Sequence, residues 1–152
     1  MDKNVFKRIA IFGSTGSVGK TTLNVIRENP DLFKVITLVA GKNVKCLIEQ
    51  IEEFRPKNIY IIDKENAEKI KEKYEDINVY YGSQGMEEIS DLTDFDISIS
   101  ALVGIAGLKP TYNMVKNGKT VALANKEVLV TGGELIMKTA KESGAKLLTI
   151  DS

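Results

Sequence analysis

Three glycines spaced three apart, Gly13, Gly16 and Gly19, interrupt the chain directly after an apolar, β-branched run (Lys7–Phe12) and directly before a segment of helical periodicity (18–27). A chain that passes from strand to helix through glycines brings backbone N–H groups to a helix N-terminus with no side chain in front of them, the geometry that cradles a pyrophosphate. Gly19 also lets the helix lie close to the strand. A tight turn with no ligand uses glycine too, but the order strand, glycines, helix is the one a dinucleotide site requires.

The same alternation continues. A strand is expected over 33–40, followed by Val44, Leu47, Ile48, Ile51 and Phe54, whose spacing puts all five on one helical face. Further strands are expected over 58–62, 79–81, 95–100, 120–124 and 147–150, with helical segments between most of them. Repeated βα units imply parallel strands joined by right-handed crossovers. The expected fold class is α/β: a doubly wound, mainly parallel sheet with helices on both faces, in a single domain over 1–152. At 152 residues and 43% hydrophobic content, the chain can bury one sizeable core.

Composition narrows the chemistry. Lys plus Arg and Asp plus Glu both number 21, so no basic field argues for nucleic acid or an anionic membrane, and a small-molecule partner is expected. The mixed-charge start, Met1 to Arg8, fits neither a secretory signal nor a membrane span, which gives a cytoplasmic expectation. There is no histidine, and Cys46 is the only cysteine. Imidazole or thiolate metal sites and Ser-His-Asp or Cys-His catalysis are thereby excluded within the chain. Cys46 reads as a small packing residue, and the chemistry falls to Lys, carboxylates, hydroxyls or a cofactor.

Two other patterns compete for the same residues. Gly19-Lys20-Thr21 resembles the end of a phosphate-binding P-loop, with 59–63 as a Walker B strand. The P-loop needs glycine five positions before Gly19, where Ser14 stands; Gly13 is one residue too far. Tyr112 and Lys116 have the Tyr-x-x-x-Lys spacing of short-chain dehydrogenases, after a strand carrying Ser98 and Ser100. Tyr60 and Lys64 repeat that spacing at a strand end, so Tyr112 is read as a helix-face residue.

Sites selective for NAD carry Asp or Glu at the end of the second strand, where the carboxylate accepts from the ribose hydroxyls. Here that place reads Ala40-Gly41-Lys42-Asn43. A carboxylate would repel a 2′-phosphate, whereas Lys42 offers a cation, Asn43 an amide donor and Gly41 room for close approach. NADP(H) is therefore the expected cofactor of a Rossmann-like fold.

With these segments in view, the chain resembles the 1-deoxy-D-xylulose 5-phosphate reductoisomerases. The resemblance rests on Gly13-Ser14-Thr15-Gly16-Ser17-Val18-Gly19, Leu38-Val39-Ala40-Gly41-Lys42-Asn43, Leu123-Ala124-Asn125-Lys126-Glu127, the stretch from Ala101 to Leu108, and the closing Asp151-Ser152. It implies an NADPH-dependent enzyme that uses Mg²⁺ or Mn²⁺ to turn 1-deoxy-D-xylulose 5-phosphate into 2-C-methyl-D-erythritol 4-phosphate, an early step of non-mevalonate isoprene biosynthesis, in a full-length homodimer. Position by position, it implies that Thr15, Gly16, Ser17 and Val18 meet the cofactor phosphates and that Gly41, Lys42 and Asn43 meet the 2′-phosphate. It likewise places Asn125 and Glu127 at the nicotinamide half, Lys126 at the substrate as the catalytic lysine, Ser152 at the substrate and Asp151 at the metal. The family pattern continues Asp-Ser-Glu, so the chain is expected to stop short of the catalytic and C-terminal domains, after Ser152, and to lack turnover alone. The remaining alternatives are a domain of another NADP-dependent dehydrogenase, a P-loop-like NTPase, or a nucleotide-sensing module.

Overall fold

Each apolar run becomes a strand and each periodic segment a helix in the computed structural model, which describes residues 6–150. The strands are β1 (Lys7–Phe12), β2 (Phe33–Val39), β3 (Asn58–Ile61), β4 (Asn78–Tyr81), β5 (Ile97–Ser100), β6 (Thr120–Leu123) and β7 (Lys146–Thr149). The helices are α1 (Ser17–Glu28), α2 (Val44–Phe54), α3 (Lys64–Lys73), α4 (Gly82–Ser90), α5 (Leu108–Lys116) and α6 (Lys126–Ser143), with a short 3-10 turn over Gly104–Gly107 before α5. Asp151 and Ser152, expected at the metal and the substrate, lie outside the described residues.

All neighbouring strands pair in parallel, in the order β4-β3-β2-β1-β5-β6-β7. From β1 to β4 the chain moves outward in one direction, and right-handed crossovers then require α1, α2 and α3 to share a face. After β4 it returns to the far side of β1 and moves the other way, which puts α4, α5 and α6 on the opposite face. The two cores record this. Leu23, Ile26, Leu47, Ile51 and Ile70 pack with Ile9 and Ile11 on one side. Ile89, Met114, Val128 and Ile136 pack with Ala10 and Phe12 on the other. The expected doubly wound architecture is observed.

Two local departures have physical causes. In β2 the register slips between Ile9/Ala10 and Val35/Thr37, so Ile36 is an extra residue, and Val35 and Leu38 come to one face although three positions apart. The expected strand over 95–100 begins only at Ile97. Asp96 accepts from the Arg8 backbone N–H through its carboxylate at 2.8 Å, and its own N–H donates to the Arg8 carbonyl at 2.8 Å, which closes the ladder there.

The topology leaves one region thinly covered, because among the described residues no helix of the first face extends across β5 to β7. Ile97, Ile99 and Ile150 there meet the flank of α1 (Val18, Val25) along an apolar groove of about 550 Å³. Among the described residues no helix is long and apolar enough to cross a membrane.

Candidate functional site

Ligands of open α/β sheets bind beyond the carboxyl ends of the strands, where the strand order reverses. In this sheet the reversal lies between β1 and β5. Four segments converge at that edge: the turn after β1, the loop after β2, the loop after β5, and the start of α6 after β6. Residues 16–18, 101–104 and 124–127 line a crevice of about 360 Å³ between them.

The turn after β1 is held from three sides. The Gly13 and Ser14 N–H groups both donate to the Val39 carbonyl, at 2.8 and 3.0 Å. Gly13 adopts φ +103°, and a Cβ there would lie 2.6 Å from the Ala101 carbonyl oxygen. A Cβ on Gly19 would lie 2.2 Å from the Gly13 carbonyl oxygen. The expected close packing of α1 on the first strand is thus met at van der Waals contact.

Gly16 is the N-cap of α1 and supplies no side-chain acceptor, and the first turn contains no acidic residue. The first N–H groups of this 12-residue helix therefore receive no side-chain acceptor from the cap, and the positive end of the helix dipole lies behind them, an arrangement that can take an anion. Thr15, Gly16, Ser17 and Val18 stand at this helix start. The residues present fit a pyrophosphate: helix-start donors with no side-chain cap and no acidic residue in the first turn.

After β2 the chain turns through Gly41 to α2. Lys42 and Asn43 are exposed, and nothing lies within 4 Å of a Cβ built on Gly41. Asn43 caps α2, its Oδ1 accepting from the Cys46 N–H at 3.1 Å, which leaves the side-chain NH₂ as the outward donor. No carboxylate occupies this strand end, so the electrostatics favour a 2′-phosphate over a bare ribose.

Across the crevice, Asn125 is the N-cap of α6 and is buried. Its Oδ1 accepts from the Glu127 N–H at 2.9 Å, while Nδ2 donates to the carbonyls of Leu102 and, at 2.6 Å, Gly104. Both amide hydrogens are engaged within the protein, so this residue pins the loop after β5 to the start of α6. Lys126 and Glu127, the next two residues, are exposed at the crevice. Glu127 sits in the first turn of α6, where the helix dipole favours its charge.

The competing patterns dissolve into structure. Asp63, the Walker B aspartate, caps α3 by accepting from the Asn66 N–H at 3.0 Å, and that bond holds its carboxyl below the usual range. Tyr60 is buried and its hydroxyl donates to the Gly82 carbonyl at 2.9 Å. Tyr112 packs against the second core with the Lys116 ammonium 5.9 Å from its ring centre. Ser100 is buried against Thr111, with 2.7 Å between hydroxyl oxygens. Cys46 is half-buried at 3.5 Å from Gln50 Nε2.

Sequence reasoning assigned no role to the loop 101–104 or to Gln50, whose amide reaches the Ser14 carbonyl at 2.9 Å. Gly104, at φ +67°, was the available signal for the loop. For Gln50 it was one polar residue between the apolar positions Leu47 and Ile51.

The family model described as 1-deoxy-D-xylulose 5-phosphate reductoisomerase matches residues 9–133. A relative of that name from Thermodesulfovibrio yellowstonii is 46% identical over 146 residues, covering 96% of this chain and 38% of its own length. A reductoisomerase crystallised with NADPH, fosmidomycin and magnesium superimposes with TM-score 0.89 at 35% identity, over 95% of this chain and 36% of the other. The Zymomonas mobilis enzyme in complex with NADPH gives 0.89 at 35%, over 97% and 39%. The chain therefore spans less than two fifths of the length of these relatives. Matched along nearly all of its own length in sequence and in the course of its sheet, the chain belongs to the 1-deoxy-D-xylulose 5-phosphate reductoisomerase family.

Proposed function

We propose that residues 1–152 form the NADP(H)-binding domain of an enzyme that converts 1-deoxy-D-xylulose 5-phosphate into 2-C-methyl-D-erythritol 4-phosphate. The observation that carries the reading is the pairing of two anion sites at one sheet edge: the uncapped start of α1, and the loop after β2 in which Lys42 stands where NAD-selective sites place a carboxylate. The first takes the pyrophosphate through Thr15, Gly16, Ser17 and Val18. The second takes the 2′-phosphate through Gly41, Lys42 and Asn43. NADPH supplies the hydride when bound.

Asn125 and Glu127 flank the nicotinamide half, and Lys126 offers a cation to the substrate oxygens. The side chain of Asn125 acts mainly by shaping the crevice wall, since its amide hydrogens are taken by Leu102 and Gly104. Asp151 would give one oxygen ligand to Mg²⁺ or Mn²⁺, and Ser152 would reach the sugar phosphate. The reading extends to a cytoplasmic, homodimeric full-length enzyme with neither nucleic-acid nor membrane partners; the equal numbers of acidic and basic residues support the last point.

The test is calorimetric titration of the chain with NADPH, NADH and ATP, repeated for Lys42→Ala. NADPH should bind best, and its advantage over NADH should fall about tenfold or more without Lys42. ATP bound in preference to both dinucleotides would sink the assignment.

A further inference from the structure

The pyrophosphate turn and the loop after β2 belong to different strand ends, and their spacing decides whether one ligand can reach both. Gln50, on α2, is 7% exposed, and its Nε2 donates to the Ser14 carbonyl at 2.9 Å across 36 residues of sequence. Its neighbours Leu47 and Ile51 are fully buried. An amide set among such residues is costly unless it is hydrogen-bonded, so packing alone does not account for glutamine here. The amide orientation follows from its partner: turned over, Oε1 would face the Ser14 carbonyl acceptor to acceptor.

The turn is therefore suspended between two supports. On one side, Gly13 and Ser14 hang from the carbonyl of Val39, the last residue of β2. On the other, Ser14 is held by Gln50. The segment 41–43 runs between the same supports, leaving β2 beyond Val39 and entering α2 at its cap Asn43.

We propose that Gln50 is a positioning residue that sets the distance between the pyrophosphate turn and the 2′-phosphate segment, and through it the preference for NADPH over NADH, without touching the cofactor. This rests on the dinucleotide reading above. A ligand that engages two subsites at once gains from their preorganised spacing, and a ligand that engages only one gains less. NADPH uses both the turn and residues 41–43, while NADH has no 2′-phosphate to present to Lys42. Releasing the clamp therefore weakens NADPH more than NADH.

The experiment is titration of the 152-residue chain with NADPH and NADH for wild type, Gln50→Leu, Gln50→Met, Lys42→Ala and the double variant Gln50→Leu/Lys42→Ala, each checked by thermal unfolding. Leu and Met keep the bulk of the side chain and remove the donor; Met carries the comparison if Leu does not fold. NADPH should bind about tenfold more weakly in the Gln50 variants, the upper range for one neutral hydrogen bond, with NADH changed about threefold or less. In the Lys42→Ala background, losing Gln50 should affect the two dinucleotides alike, because the subsite it serves is gone. Equal weakening of both dinucleotides in the single variants would make Gln50 a residue of general stability and overturn the proposal, as would unchanged NADPH affinity in a folded variant. A wild-type chain that binds neither dinucleotide would sink the domain reading itself, a result distinct from a wild type that prefers NADPH regardless of Gln50.

Discussion

A Cβ on Gly19 would stand 2.2 Å from the carbonyl oxygen of Gly13, closer than any carbon and oxygen can pack. The first turn of α1 is thus pressed onto the end of β1 with no room for a methyl group, and the obstacle is backbone, which cannot rotate aside. Gly19→Ala should therefore displace the turn, destabilise the chain by about 2–3 kcal/mol and abolish NADPH binding. Gly13→Ala should do the same for a second reason, its φ of +103°. Gly41→Ala, with nothing within 4 Å, should change stability by less than about 0.5 kcal/mol. Thermal unfolding of the three variants checks the order.

Asn125 separates capping from clamping. Aspartate caps a helix about as well as asparagine, so Asn125→Asp would be harmless if the residue only accepted from Glu127. A carboxylate facing the carbonyls of Leu102 and Gly104 instead sets acceptors against acceptors. Both Asn125→Asp and Asn125→Ala should lose about 2–4 kcal/mol at neutral pH, from the clamp in the first and from clamp and cap in the second. The aspartate variant should regain part of the loss as its carboxyl is protonated. Unfolding midpoints measured at pH 7 and pH 4.5 decide it; an aspartate variant as stable as wild type at pH 7 would show that the clamp contributes little.

The pH dependence of stability should have an acid limb and no feature near neutrality. The Arg8 guanidinium and backbone N–H bonded to Asp96 hold that carboxyl below its ordinary value of 3.8. Glu52 is lowered by the Tyr74 hydroxyl and Glu53 by Arg27. A carboxyl with a depressed folded-state pKa contributes stability above the unfolded-state value and loses it as pH falls through the folded-state one. Stability should accordingly decline from about pH 4.5 downward and stay level between about pH 6 and 8.5, since the chain has no histidine. Asp96→Asn should flatten the acid limb, as read from urea midpoints between pH 2 and pH 6.

The two Tyr-x-x-x-Lys pairs should behave as structure. Tyr60→Phe removes a hydrogen bond to the Gly82 carbonyl and should lower stability by about 1 kcal/mol. Tyr112→Phe should be neutral within about 0.5 kcal/mol. Neither should alter NADPH affinity; a loss of binding in Tyr112→Phe would bring that residue into the site.

The period of the apolar residues determined the elements: β1 and α2 fall where the sequence placed them, and the other strands within two residues of it. The glycine spacing and the missing carboxylate after β2 marked the two proposed anion sites, because both depend on residues adjacent in the chain. Lys42 and Gly16 could be named as candidates for that reason. What the sequence could not give were contacts between residues far apart in it. The clamp from Gln50 to Ser14 spans 36 residues and that from Asn125 to Leu102 spans 23, and nothing local distinguishes either amide from one turned to solvent. Likewise, the direction in which the chain turned after β4 decided which helices share a face and which half of the sheet the described helices leave uncovered. Local pattern sets the pieces because propensity and burial act over a few residues; only packing of the whole sheet brings their ends together into one crevice.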